Sequence, residues 1–209
     1  MGFALFLLNK FVINKKIELK KAEGGNINVL LLGIGGGTHE GPELTDTIIF
    51  ASINPSKNSA DLFSIPRDLW IPNLRSKINR AYADGQEKNK QGLLLSKVVV
   101  GKVVGQNIDY VVVIDFSGFV KMIDHLGGID VEVTRTLDDY GYPIEGKQDD
   151  PCEHTDEEVA SLSAEIATSS AKELEAFPCR YKYIHVDVGT IHMNGEQALE
   201  FSRSRHGLA

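Results

Sequence analysis

Two spacings of apolar residues run along this chain. Residues 28–34 (NVLLLGI) form a short continuous apolar run stopped by Gly35, Gly36 and Gly37, which predicts a buried central strand. Residues 47–53 (TIIFASI) predict a second strand, ended by Asn54 and Pro55, and residues 61–65 predict a third. The polar turn between those two predicts a hairpin. Residues 77–83 suit a short helix. Residues 91–104 (QGLLLSKVVVGKVV) predict a helix with one internal glycine, and their valines leave a strand as the alternative. Residues 109–115 (DYVVVID) give the clearest strand. From Phe116 the apolar residues Phe119, Val120, Ile123 and Leu126 follow at helical spacing, with Gly127 as the stop. Residues 129–133 predict a further strand. Strands alternating with helices predict an α/β fold, a sheet with helices on both faces. The hairpin makes that sheet mixed.

The later part of the chain is more polar. Residues 155–176 are rich in Glu, Ala and Ser, and Thr155 with Glu158 makes a capping box, which predicts an exposed helical insertion. Residues 194–201 (NGEQALEF) predict a short helix capped by Asn194. Cys152 and Cys179, the only cysteines, flank the insertion at about 149–180. They fit no zinc spacing. They are either two free thiols or one disulfide stapling the insertion, and a disulfide implies an oxidising, extracytoplasmic compartment. At the other end, residues 3–8 are apolar and residues 11–13 extend them, too short a stretch to span a bilayer alone. This leader is either amphipathic or the tail of a transmembrane anchor, joined by a linker to a domain starting near residue 26. Lys10, Lys15, Lys16, Lys20 and Lys21 follow it, on the side that the positive-inside rule disfavours for an external domain.

With 209 residues, 42% hydrophobic and 24% charged, the chain has an ordinary globular composition. Its net charge of −7 argues against a nucleic-acid partner. An anionic ligand would need a local cluster of cations. Arg67, Lys77, Arg203 and Arg205 are the candidates. Arg67 follows the third strand, where a sheet edge opens into a loop. Arg203 and Arg205 flank Ser204, and in an extended segment they would face one way, two guanidinium forks suited to phosphate oxygens. Each could equally be a surface arginine paired with a carboxylate. Asp46, just before the second strand, either caps a turn or holds Mg2+. Gly35-Gly36-Gly37 has neither phosphate-loop spacing, which argues against a nucleotide site. The six histidines show no metal spacing; His206, beside Arg205, is the one of interest.

The series NVLLLGIG, LTDTIIFASINP, LFSIPRDLWIP, KINRAYA, IDYVVVIDFSGFVKMIDHLGGIDVEV and HMNGEQALEFSRSRH, in this order and spacing, resembles the LytR-CpsA-Psr family, from about residue 28 to His206. The resemblance implies a three-layer α-β-α domain over 26–209 with a central mixed β-sheet. It implies a single-pass anchored protein on the extracytoplasmic face of the membrane. The implied reaction is phosphotransfer of a glycopolymer from a polyprenyl-pyrophosphate carrier to peptidoglycan; an older family name is cell envelope-related transcriptional attenuator. By the same resemblance Asp46 is the Mg2+ ligand, Arg67, Lys77, Arg203 and Arg205 surround the pyrophosphate, and Asp68 and Asn79 support them or touch the substrate. The apolar faces of 91–104 and 116–126 are either core or the walls of a groove for the polyprenyl chain. Three departures stand out. Gly35 replaces a second aspartate, Leu44 replaces an arginine, and a further arginine-bearing segment is expected beyond Ala209. They suggest a fragment or a divergent member with a thinner site. A carrier-binding module without turnover, or a regulatory envelope protein, is the rival reading.

Overall fold

In the computed structural model, residues 19, 25–37, 41–166, 170–205 and 207 are described. The leader expected over 1–25 falls almost wholly outside them, as do His39 and His206. The chain divides into two compact units, the first ending at Ser117 and the second starting at Gly118.

The first unit is built on β1 (Ile27–Ile34), β2 (Thr45–Asn54), β3 (Ser59–Ser64) and β6 (Tyr110–Ile114). They form one sheet in the order β3-β2-β1-β6. β1 and β2 pair antiparallel, as do β2 and β3, while β1 and β6 run parallel, so the sheet is mixed. The hairpin after β2 is closed by Asn54, whose side chain accepts from the Lys57 N–H at 2.9 Å. Leu30 and Leu32 of β1 and Ile48 and Phe50 of β2 point to one face and are almost fully buried. Helices α1 (Arg80–Asn89) and α2 (Gly92–Val104) cover that face through Ala81, Val99 and Val100. Each large apolar side chain buried this way contributes roughly 1.5–3 kcal/mol. The helical alternative for 91–104 therefore holds. The inner face of α2 is ordinary core, while Leu94 and Val98 on its outer face are exposed.

The helix expected over 77–83 starts later. A two-residue ribbon, β4 (Trp70–Ile71) with β5 (Ser76–Lys77), takes its first residues. Backbone pairing continues past the ribbon: the Ile78 N–H donates to the Leu69 carbonyl at 2.7 Å and the Asn79 N–H to the Arg67 carbonyl at 3.3 Å. Helix α1 can begin only once those groups are spent. Long-range hydrogen bonds override a weak local helical preference here.

The second unit holds α3 (Phe116–His125, opening at the boundary), β7 (Ile129–Val133), β8 (Leu137–Pro143), α4 (Asp156–Ile166), α5 (Ser170–Ala176), β9 (Tyr181–Val186), β10 (Gly189–Met193) and α6 (Gly195–Arg203). Gly127 and Gly128 end α3 with φ of +83° and +93°, conformations that suit glycine. β7 pairs antiparallel with β10, and β8 with β9. The apolar face of α3 is core: Ile123 packs with Val133, Met193 and Ala198. Of the two readings for 116–126, core or groove wall, this packing matches the core. Asn194 and Gln197 form a full capping box at α6.

The insertion lies between β8 and β9. α4 buries none of its residues, as an exposed insertion should. Its capping box is present: the Thr155 N–H donates to Glu158 at 2.9 Å and the Glu158 N–H to Thr155 Oγ1 at 3.4 Å. Cys152 and Cys179 form a disulfide, with their Cα atoms 5.5 Å apart. Arg180 seals the base of the insertion. It donates to the Asp150 carbonyl at 2.8 Å and lies 3.7 Å above the ring of Phe177, which is fully buried. Among the described residues no helix is long and apolar enough to cross a membrane.

Candidate functional site

Five of the residues singled out by the sequence meet in the first unit. Asp46 is the second residue of β2, and Arg67 and Asp68 follow β3 through Ile65 and Pro66. The β4–β5 ribbon returns the chain so that Lys77 comes back beside Asp68. Arg67 Nη1 lies 2.5 Å from Asp46 Oδ1, and its Nε lies 3.7 Å from Asp68 Oδ2. Lys77 Nζ lies 2.5 Å from Asp68 Oδ1. All four side chains are about half exposed, between 47% and 58%. The hydrogen bond to Asp46, and then its charge, raise the Arg67 pKa. The hydrogen bond from Lys77 is the main cause that lowers the Asp68 carboxyl. Two cations and two carboxylates leave this quartet formally neutral.

Asn79 lies beneath the quartet and is only 9% exposed. Its carbonyl accepts from both the N–H and the Oγ1 of the buried Thr45, each at 3.1 Å. Its own N–H reaches the Arg67 carbonyl. The Asn79 backbone thus ties the start of β2 to the loop carrying Arg67, while its buried side-chain Oδ1 has no hydrogen-bond partner. The glycine turn after β1 is close by in the sheet. Gly36 has φ +67°, and a Cβ there would lie 2.7 Å from the Cβ of Asp115, just past the end of β6.

Arg203 and Arg205 belong to the second unit. Arg203 is the last residue of α6, so the pair does not lie in one extended segment as alternation suggested. Ser204, with φ −54° and ψ 131°, leaves the helix, and Arg205 follows it outside. Arg203 is half-buried, with its guanidinium 5.8 Å from the ring of buried Tyr142, and Arg205 is exposed. Ser204 is fixed from below. Its hydroxyl donates to Asp139 Oδ2 at 2.5 Å, and Asp139, at 0% exposure, also accepts from the Gly141 N–H at 2.8 Å. A buried carboxylate therefore anchors the residue between the two arginines.

The sequence matches the profile described as the LytR_cpsA_psr family over residues 9–209. The chain belongs to this family. It is 28% identical over 193 residues to the Bacillus cereus polyisoprenyl-teichoic acid–peptidoglycan teichoic acid transferase TagU, covering 90% of this chain and 47% of that protein. Among solved structures it is similar to Bacillus subtilis TagV, at 25% identity and a TM-score of 0.56, covering 90% of this chain and 59% of that one. It is also similar to YwtF (TagT), a LytR-CPS2A-psr family protein solved with bound octaprenyl pyrophosphate lipid, at 21% identity and a TM-score of 0.54, covering 91% and 61%. These neighbours give the chain the α/β fold of LytR-CpsA-Psr domains. The chain spans about half the length of the curated relatives it matches.

Within this family member, Asp46 is the carboxylate to test as a Mg2+ ligand. Gly35 adds no oxygen donor from its side chain. Among the described residues, the one group of three metal-ligating types with converging ligand atoms is Asp150, Cys152 and Cys179, and the disulfide consumes both sulfurs. Mg2+ commonly takes one or two carboxylates and fills its shell with phosphate oxygens and water. Exposed Asp46 fits an ion that brings most of its own ligands. It does not make a protein cage. Asp139 escaped the sequence reading altogether. In Leu137-Asp138-Asp139-Tyr140 it looks like surface, and only pairing with a strand more than forty residues later buries it.

Proposed function

We propose that the chain is the LytR-CpsA-Psr domain of an enzyme that transfers a glycopolymer from a polyprenyl-pyrophosphate carrier to peptidoglycan, on the extracytoplasmic face of the membrane, with a single-pass anchor. The carrying observation is the exposed quartet of Arg67, Lys77, Asp46 and Asp68. TagU, named for transfer between polyisoprenyl-teichoic acid and peptidoglycan, and TagT, solved with octaprenyl pyrophosphate lipid, support the choice of ligand. The disulfide suits an oxidising compartment.

In the proposed reaction a glycan hydroxyl of peptidoglycan loses its proton. Its oxygen forms a bond to the phosphorus bearing the glycopolymer. The bond from that phosphorus to the bridging oxygen breaks, polyprenyl phosphate leaves with that oxygen, and the proton passes to solvent. The chain's own groups act on charge and position. Exposed ion pairs are worth only ~0–1 kcal/mol each, so a pyrophosphate can draw Arg67 and Lys77 away from their carboxylates at little cost. Arg67 then offers its planar fork to two oxygens, and Lys77 a point charge. Arg203 and Arg205, which the family resemblance also assigns to the pyrophosphate, belong to the second unit, where Ser204 between them is held by Asp139. Because the quartet is neutral, a bound pyrophosphate alone leaves Asp46 and Asp68 facing added negative charge. Mg2+ would supply the compensating charge at Asp46 and stabilise the departing phosphate.

This predicts coupled binding. Calorimetric titration of Mg2+ should show weak binding to the free protein and stronger binding with a polyprenyl-pyrophosphate analogue, each raising the other's affinity by one factor. Asp46→Asn should reduce that factor, and Arg67→Lys should weaken the lipid. Turnover with lipid-linked glycan and peptidoglycan separates the enzyme from a binding module. Tight Mg2+ binding to the free protein, or unchanged coupling in Asp46→Asn, would refute the assignment.

A further inference from the structure

Helix α2 is apolar on the side that faces water as well as on the side that faces the sheet. Its buried residues include Ser96, Val99 and Val100. At about 3.6 residues per turn, Leu94 and Val98 stand on the opposite side. They are 54% and 44% exposed, and Leu93, in the first turn, is 49% exposed. Its neighbour α1 shows how a helix of the same layer looks when it meets water, with Arg80, Glu87 and Lys88 among its exposed positions. A helix that is apolar all round is one that protein or lipid covers on every side.

Cations frame this exposed stripe. The helical spacing sets Lys97 and Lys102 on its two flanks. Lys90, which ends α1 in the left-handed region at φ 57°, stands two residues before α2 begins. Lys97 Nζ donates to the Asp109 carbonyl at 3.4 Å, and among the described residues none of the three ammonium groups has a carboxylate partner. From residue 86 to residue 108 the chain carries four lysines and one carboxylate, Glu87, although its net charge as a whole is −7.

We propose that the outer face of α2 docks on an anionic lipid bilayer. Leu93, Leu94 and Val98 enter the boundary between headgroups and acyl chains, and the lysines lay their stems along the stripe and place their ammonium groups among the phosphates. Three observations favour this occupant over another protein. The stripe is three apolar side chains, far less than the ~800 Å2 that each partner contributes to a stable protein interface. A second copy would set the same cations against each other, because α2 holds no carboxylate to answer them. The negative remainder of the chain is repelled by an anionic surface, which turns this basic face toward it. Docking does not depend on the transferase reading. Where that reading holds, it brings the first unit, with its quartet, to the surface in which a polyprenyl carrier is embedded.

The test uses the full chain and co-sedimentation with vesicles of phosphatidylcholine, alone or with phosphatidylglycerol. Binding should be stronger with the anionic lipid and should weaken as salt is raised. Val98→Gln should lower the partition coefficient about tenfold, and Lys102→Gln about fivefold. Both positions are exposed, so circular dichroism should show the parent fold. The leader is the same in every protein and cancels in these ratios. Val98→Trp on vesicles of brominated lipid reads the docking face directly: its emission should be quenched beyond that of the parent, whose one tryptophan is Trp70. Indifference to phosphatidylglycerol, equal partition of the parent and Val98→Gln, or no added quenching in Val98→Trp would each overturn the proposal. Self-association of the parent that is lost in Val98→Gln would overturn it too, by making a second copy the occupant.

Discussion

Removing the Asp139 carboxylate tests the link between the buried core of the second unit and the arginines at the end of α6. The side chain is fully buried and accepts at least two hydrogen bonds, from the Gly141 N–H and the Ser204 hydroxyl. Hydrogen bonds to a charged group are worth ~1.5–3 kcal/mol each, so two give ~3–6 kcal/mol gross. Truncation also relieves the desolvation of the carboxylate, which brings the expected net loss for Asp139→Ala to about 3–5 kcal/mol. Asp139→Asn is the informative companion. Its oxygen can still accept from Gly141, while its amide faces Ser204 and forces that hydroxyl to turn from donor to acceptor. A hydroxyl can rotate, so the cost should be nearer 1–2 kcal/mol. Urea denaturation of the parent, both variants and Ser204→Ala gives these values, and the Asp139→Ala/Ser204→Ala cycle isolates the shared bond. Binding of a pyrophosphate-lipid analogue by the folded Asp139→Asn protein then reports whether Ser204 positions Arg203 and Arg205. An Asp139→Ala variant within 1 kcal/mol of the parent, or a cycle with no coupling, would refute the reasoning.

Reducing the Cys152–Cys179 bridge, whose cysteines lie 27 residues apart, should cost about 3.5 kcal/mol by loop-closure entropy. Urea unfolding with and without reductant measures it, and equal midpoints would show that Arg180 and Phe177 hold the insertion alone. His192 has its pKa raised, first by the hydrogen bond to Asp130 at 2.7 Å and then by the Gly127 carbonyl. Its contribution to stability should be complete below the unfolded histidine pKa of ~6.5 and vanish as pH rises through the higher folded value. Thermal unfolding across that range should show the loss, and Asp130→Asn should flatten it.

The apolar runs were enough to place β1, β2, β6, α2 and α3, because each carries a continuous or regularly spaced apolar run that packs into the core, whereas β3, with Leu62 and Phe63 exposed, was marked by the turn that pairs it with β2. The capping residues Thr155 and Asn194 likewise marked α4 and α6 through bonds made within four residues. The family motifs marked Asp46, Arg67 and Lys77, but not that Asp46 and Asp68 hold both cations in a neutral quartet. That pairing depends on a ribbon, β4–β5, whose residues have no strand pattern and which leads directly into Ile78, buried in the core. β8, β9 and β10 were illegible for a related reason. The residues of β8 and β9 are largely charged or aromatic, those of β10 (GTIHM) mix polar and apolar types without alternation, and β8 finds β9 across the whole insertion. The burial of Asp139, the exposure of Tyr140 and the anchoring of Ser204 all follow from that one non-local register. Local sequence determines where an apolar face or a cap exists; which polar residues end up buried, paired or presented is decided when distant strands meet, since only then does each backbone group and charge acquire its partner.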